Sequence, residues 1–315
     1  MTRRVKKLII RILLIVILVP VIGVLAVEGW YLPRFIFDRK DVELDMSNTD
    51  EITVMSSNVR CFSPTDLYEK SWFYRAKLIR DDINEVKPDI IGFQEVTWMH
   101  MGYLKDILEG YDSVITYRDD FILSEGCPVF YRTDKFELVN KGSFWLSETP
   151  DVMSKDWGAA CYRVASYVIL KVKATGKELV VFNTHLDHVS DEARINGINV
   201  VLDKIQAFGG KPSIIMGDFN AYVGSPTIKA AYQYFDDAHD VCDQNLQVLS
   251  GAKEATYQNW GGKMNNKRID YFMVSKTGID VKTYDVLDRT HDGVYASDHF
   301  PIYIDIVLEW HTPTT

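Results

Sequence analysis

From residue 51 onward, short apolar runs alternate with amphipathic stretches. Ile52-Thr53-Val54-Met55-Ser56-Ser57-Asn58-Val59 alternates with a period of two and predicts a strand. Residues 71–87 set Phe73, Ala76, Ile79, Ile83 and Val86 at helical spacing, and Pro88 ends that helix. Asp89-Ile90-Ile91-Gly92-Phe93-Gln94-Glu95 is an apolar strand that stops in a carboxylate. Further strands are predicted over 129–131, 136–145 and 164–173, and Glu178 to Thr184 runs as a strand into Asn183-Thr184-His185-Leu186-Asp187-His188. Asp191 to Phe208 carries Ile195, Ile198, Val201, Leu202 and Ile205 on one helical face. Ile214-Ile215-Met216-Gly217-Asp218-Phe219-Asn220 is again a buried strand ending in polar side chains, and strands begin at Arg268 and at Ile302. Such alternation indicates a mixed α/β domain with covered sheets. No G-x-G-x-x-G or G-x-x-x-x-G-K is present, which argues against a doubly wound nucleotide-binding fold.

Residues 1–40 break the pattern. Arg3, Arg4, Lys6, Lys7 and Arg11 surround the start of an apolar run from Leu8 to Val27, about the length of one helix through a bilayer, with Trp30 and Tyr31 as interfacial anchors. No small-x-small cleavage site precedes Glu28, so an uncleaved single-pass anchor is expected over about 8–27. Four basic residues before the span put the N-terminus in the cytoplasm and the large domain on the extracytoplasmic side of the cell membrane. The polar run 38–50 suggests a linker over 41–50, followed by one domain over 51–310, read as a monomer.

Charge sharpens this reading. The 315 residues are 47% hydrophobic and 25% charged, the balance of a globular chain. Residues 1–40 hold eight of the 35 Lys/Arg and two of the 44 Asp/Glu, which leaves 27 basic and 42 acidic residues, a net of −15. A domain this acidic is a poor general polyanion binder, so a metal cation would have to supply positive charge if it handles phosphates. Cys61, Cys127, Cys161 and Cys242 are widely separated with no C-x-x-C, which excludes a zinc knuckle; they are buried thiols or, in an exported domain, pairs.

The polar strand ends are Asn58, Glu95, His185, Asp218, Asn220, Asp270, Asp298 and His299. Each alone reads as a cap or a satisfied core polar group. Together they form an oxygen-rich set suited to Mg²⁺ or Mn²⁺, with imidazoles able to act near neutral pH. A metal, a water and a histidine together fit hydrolysis at phosphorus.

The ordered set Ser57-Asn58-Val59-Arg60, Gln94-Glu95-Val96, Asn183-Thr184-His185-Leu186-Asp187-His188, Gly217-Asp218-Phe219-Asn220, Arg268-Ile269-Asp270-Tyr271 and Ser297-Asp298-His299-Phe300-Pro301 resembles the endonuclease/exonuclease/phosphatase superfamily, which includes DNase I-like nucleases, sphingomyelinases and inositol polyphosphate phosphatases. The run from Gly142 to Pro150 looks like a bacterial subgroup of it. The resemblance implies a four-layer α/β sandwich: two packed mixed or antiparallel sheets flanked by helices. It implies Glu95 as the principal Mg²⁺ ligand, helped by Asn58 and Asp298. It implies Asp218 as the group that orients or deprotonates water, and Asn220 as the amide on a phosphate oxygen. His299 and His185 would be the phosphate-facing histidines, Asp270 the partner of His299, and Glu125 either the group that orients His185 or a surface loop acid. Arg163 and His188 are candidate substrate contacts, or a surface-strand residue and a structural histidine; Asp187 and Arg194 stand in the same position.

The expected activity is therefore metal-dependent phosphoester hydrolysis, of phosphodiesterase type, on a lipid headgroup, a small phosphoester or nucleic acid. Rivals are an exported nuclease, which would need a basic groove, and a membrane-tethered domain without turnover. A calcineurin-like metallophosphoesterase is excluded, because it needs D-x-H and G-N-H-[DE] motifs that the chain lacks. Tyr222, Tyr257 and Trp260 either line a pocket or pack.

Overall fold

A computed structural model describes residues 3–45, 50–246, 255–262 and 267–309, with only the backbone at positions 20, 21 and 24–27. The described strands make two sheets. In spatial order the first holds β10 (Gln244–Asn245), β12 (Ile279–Val286), β13 (Ile302–Leu308), β1 (Glu51–Asn58), β2 (Ile90–Gln94), β4 (Val129–Arg132) and β3 (Tyr111–Val114). The second holds β5 (Phe136–Trp145), β6 (Val164–Val172), β7 (Glu178–His185), β8 (Ser213–Asp218), β11 (Asp270–Ser275) and β9 (Phe235–Asp237). Both sheets are mixed: β1 runs parallel to β2 but antiparallel to β13, and β7 is parallel to β8 while β11 is antiparallel to it.

Three apolar layers follow from the side-chain periods. Ile52, Val54 and Ile90 of one sheet meet Val168, Val181, Ile214 and Met216 of the other. The outer face of the second sheet is covered by α5 (Asp191–Gln206) and α6 (Pro226–Ala231) through Ile198, Val201, Leu202 and Ile228. The outer face of the first is covered by α3 (Trp72–Val86) and α4 (Trp98–Ile107) through Ile79, Ile83, Leu104 and Ile107. This is the expected layering, helix–sheet–sheet–helix. The sheets approach closely at Gly92, where a Cβ would lie 2.4 Å from Met216 Cε. Ser71 and Ser190 cap α3 and α5 by accepting from Phe73 and Ala193 N–H, and Lys87 closes α3 in the left-handed region at φ 51°. A four-residue helix, α7 (Ala238–Val241), follows β9.

The N-terminal segment forms α1 (Arg3–Glu28) and α2 (Leu32–Phe37). Among the described residues no helix is long and apolar enough to cross a membrane. The described side chains of α1 from Leu8 to Val19 are nonetheless exposed. α2 is docked: the Phe35 ring lies 5.1 Å from Phe73 and 5.4 Å from Tyr103. Val42 is buried, and its N–H donates to Ile107 O at 2.9 Å. The first residues of the expected linker are thus laid on the domain, while its residues 46–49 and the expected domain end at 310 lie outside the described residues.

Candidate active site

Strand register builds half of the site. His185 pairs with Asp218 across β7 and β8, and Asp218 pairs with Asp270 across β8 and β11, so three separate segments set their polar ends in one row. Gly217 permits this row: its φ is 138°, and a Cβ there would lie 1.9 Å from Thr184 O. The other sheet supplies Asn58 at the end of β1, Glu95 just past β2, and Asp298 and His299 ahead of β13. Glu95, Arg60 and Asn220 all hold positive φ, at 63°, 58° and 48°, where the chain turns sharply off a strand to aim a side chain.

Hydrogen bonds join the halves. Asn58 Nδ2 donates to Glu95 Oε1 and to Asp218 Oδ2, both at 3.1 Å, the second crossing between the sheets. Asn58 Oδ1 accepts from Arg60 N–H at 2.9 Å. Asn58 presents its NH₂ to the two carboxylates and its oxygen to the Arg60 N–H, and so positions Glu95 and Asp218 relative to each other. Glu95 Oε2 accepts from Cys61 N–H at 2.6 Å. Burial opposes ionisation of Glu95, but the Cys61 N–H and the Asn58 amide outweigh it and hold its pKa below the ordinary carboxylate value. Arg75, wholly buried, donates to Val59 O and Ala296 O at 2.7 and 2.8 Å and ties the loop after β1 to the loop that carries Asp298.

His299 Nδ1 donates to Asp270 Oδ2 at 2.9 Å, as expected of this pair, and its Nε2 lies 3.7 Å from Asp218 Oδ2. Burial works against its charge, but Asp270 and Asp218 overcome it and push its pKa up to about 10, so the ring is an imidazolium at neutral pH. Asp218 is pushed up to about 7 by burial and by Asp270, with His299 pulling the other way. His185 differs: burial, with Arg163 next, takes its pKa well below the usual value, and the ring is neutral. Its Nε2 accepts from Asn220 Nδ2 at 3.0 Å and lies 3.4 Å from Asp218 Oδ2. Asn220 N–H in turn donates to Asp218 Oδ1 at 2.9 Å.

Glu95, His185, Asp218, Asn220, Asp298 and His299 line a cavity of about 430 Å³, together with Arg60, Cys61, Arg118, Glu125, Arg163, His188, Tyr222 and Tyr257. Tyr222 and Tyr257 are therefore wall residues, the Tyr257 ring 4.9 Å from that of His299, whereas Trp260 sits over Arg75 instead. Glu125 does not orient His185: its carboxylate takes Arg118 Nη1 at 2.7 Å, and burial and Glu95 push its pKa up to about 7. Asp187 is structural, accepting from the N–H groups of Ala160, Cys161, Val189 and Ser190. Arg194, in the first turn of α5, donates to Asp187 O at 2.7 Å. Arg118 carried no signal in Tyr117-Arg118-Asp119, and only its position in the fold brings it here.

Glu95, Asp218, Asp270 and Asp298 are all buried or nearly so, against His299, the buried Arg75 and the half-buried Arg60, whose Nη1 is 3.9 Å from Asp298. That excess of buried negative charge, presented by hard oxygen donors, fits a divalent cation. Among the described residues, Asp218, Asp270 and His299 have ligand atoms all within 4.8 Å of one another. His299 Nδ1 there already shares a proton with Asp270, which leaves the cavity-facing carboxylates as the freer donors.

The model of the Endonuclease/Exonuclease/phosphatase family matches residues 55–299. Among solved structures, an endonuclease/exonuclease/phosphatase family protein from Bacteroides thetaiotaomicron is 34% identical at a TM-score of 0.74, covering 82% of this chain and 98% of that one. A mannosyl-6-phosphatase from Bacteroides thetaiotaomicron VPI-5482 is 33% identical at 0.73, covering 82% and 100%. Nocturnin of Drosophila melanogaster is 25% identical over 283 residues, which are 76% of this chain and 42% of that protein. The chain thus spans less than half the length of that relative, and it spans 69% of human Nocturnin at 25% identity.

Proposed function

Because the chain belongs to the endonuclease/exonuclease/phosphatase family, we propose that it is a divalent-metal-dependent hydrolase of phosphoesters, with Mg²⁺ or Mn²⁺ as the ion. The observation that carries the reading is the row His185–Asp218–Asp270 completed by His299 from the opposite sheet. Asp218, raised by burial, accepts a proton from water aligned for in-line attack on phosphorus. Asn220 and the His299 imidazolium hold the phosphoryl oxygens as charge builds on them. Glu95 and Asp298 would hold the cation, with Asn58 fixing Glu95; the cation supplies neutralisation of charge on the phosphoryl group when bound. Arg163 and His188 contact the remainder of the substrate.

A small phosphoester is favoured over a polynucleotide. The cavity is about 430 Å³, and the net of −15 outside residues 1–40 opposes a long polyanion. The likeness to a mannosyl-6-phosphatase points the same way. The resemblance carried by the motifs favours a diester. Purified residues 41–315 with Mg²⁺ should hydrolyse bis(4-nitrophenyl) phosphate or 4-nitrophenyl phosphate, and Asp218→Asn should lower kcat by about 10³-fold without loss of fold. Unchanged turnover in D218N would overturn the assignment of Asp218. Metal binding with no turnover of either ester would instead favour a binding domain.

We also propose that α1 anchors one monomeric catalytic domain, 51–310, through the linker 41–50 to the outer face of the cell membrane. The support is the apolar run Leu8 to Val27 behind a basic N-terminus, and the exposure of its described side chains. Protease added to intact cells should degrade the catalytic domain; full protection would reverse the orientation.

A further inference from the structure

One wall of the cavity is built for charge that the proposed reaction does not use. Arg163 is 6% exposed, yet among the described residues its guanidinium makes a single hydrogen bond, from Nη2 to His188 Nδ1 at 3.0 Å. Its Nε is buried with no hydrogen-bond partner. The nearest carboxylate, Asp187, stands 3.8 Å from Nε, and its oxygens already accept the four loop N–H groups described above. Its Nε is thus a buried donor without an acceptor and its fork lines the cavity, a setting that an oxyanion would complete. Beside it, Arg118 donates to Glu125 but also keeps a buried Nε with no hydrogen bond.

This wall adjoins the reaction centre. His299 is set among Asp270, Asp218 and Asp298, and Asn220 and Asp218 contact one edge of His185. Arg163 and Arg118 line the same cavity as the reacting groups, and with Glu95, Glu125 and His185 they also border a smaller recess beside it.

Resting on the phosphoester reading above, we propose that Arg163, with Arg118 and His188, forms a second oxyanion subsite, so that the substrate carries a second anionic group, phosphate or carboxylate, beside the ester that is cleaved. The planar fork of Arg163 matches two oxygens of such a group, and the residue stands immediately before β6.

Calorimetric titration at excess Mg²⁺ tests this without needing turnover. The probes are ethylphosphonate, 2-carboxyethylphosphonate and bisphosphonates joined by two to four methylene groups. At least one two-headed probe should bind about 10-fold tighter than ethylphosphonate, and the carboxylate and phosphonate arms tell which head the subsite takes. In Arg163→Gln that advantage should fall to about twofold or less; Arg118→Gln should reduce it part way. Arg163→Lys, which keeps the charge and the stem but not the fork, should also lose most of it, and stands in if R163Q does not fold. The subsite is overturned if no two-headed probe exceeds ethylphosphonate by more than about twofold in the wild type. It is equally overturned if the advantage persists in folded R163Q or R163K, since chelation of the metal would then explain it. Failure of the hydrolase reading shows separately, as absence of turnover with the nitrophenyl esters.

Discussion

At the scale of single residues, the pair Asp270–His299 decides the charge of the site. The imidazole is buried, which alone would keep it neutral; the carboxylate 2.9 Å away reverses that. In Asp270→Asn the ring should lose its proton well below the value of about 10 it has in the intact pair, read by NMR titration of His299. With the imidazolium gone at neutral pH, kcat should fall about 10²-fold. A titration that does not move would show that Asp218 or Asp298 holds the proton instead. The two residues were legible in the sequence as polar groups at strand mouths, and their pairing only as what the family resemblance implies. Of the two readings of Glu125, the one that has it orient His185 is not what the hydrogen bonds show: its neighbour in space is Arg118, and the six residues of irregular chain between the two carry no periodicity to expose that.

At the scale of elements, regular strands and helices were readable and irregular ones were not. The boundaries of β1, α3, β7, α5 and β13 fall within a few residues of the apolar periods that predict them. α4 is missing from that reading because its start is closed by an imidazole: His100 Nδ1 accepts from Thr97 N–H at 3.1 Å, where a Glu or Gln would have been recognisable. β12 is missing because its register slips between Val281 and Thr283, which breaks the alternation. His100 also yields a test. Burial, with Arg75 next, lowers its pKa well below 6.5, so the unfolded chain binds the proton more readily than the native one. Its contribution to stability is complete above pH 6.5 and is lost as pH falls below it. The free energy of unfolding from urea titrations between pH 6.5 and 5 should drop by about 1.4 kcal/mol per pH unit on account of this group. His100→Gln should flatten the profile by that amount; parallel profiles would refute it.

At the scale of the whole molecule, the site exists because two sheets are clamped at one end. Gln94 Nε2 donates to Asn183 Oδ1 at 2.7 Å, and Asn183 Nδ2 donates to Phe93 O and Pro128 O at 2.8 and 2.7 Å. All of this is buried directly beneath Glu95 and His185. Asn183→Ala would take from Phe93 O its side-chain donor, while Gln94 Nε2 keeps Ser56 Oγ and Pro128 O keeps Phe93 N–H, at a cost of about 1–3 kcal/mol. Activity should fall further than stability alone predicts, because the distance between the two halves of the site is no longer held. A variant with wild-type stability would show that water replaces the amide.

The amino-acid sequence by itself determined the kind of layers and the chemical types at the strand ends, since apolar period and strand termination are local properties read within a few residues. It also determined that the charge outside residues 1–40 is acidic and that a long apolar run stands at the N-terminus. Only the tertiary structure decided which tips face one another. The Asp218–Asp270 register, the turn of Asn58 that offers nitrogen rather than oxygen, and the pairing of Arg118 with Glu125 all depend on how the fold brings separate segments together. So does the unfilled guanidinium of Arg163: whether a buried charge is satisfied is a sum over every neighbour in space, and no stretch of sequence contains that sum.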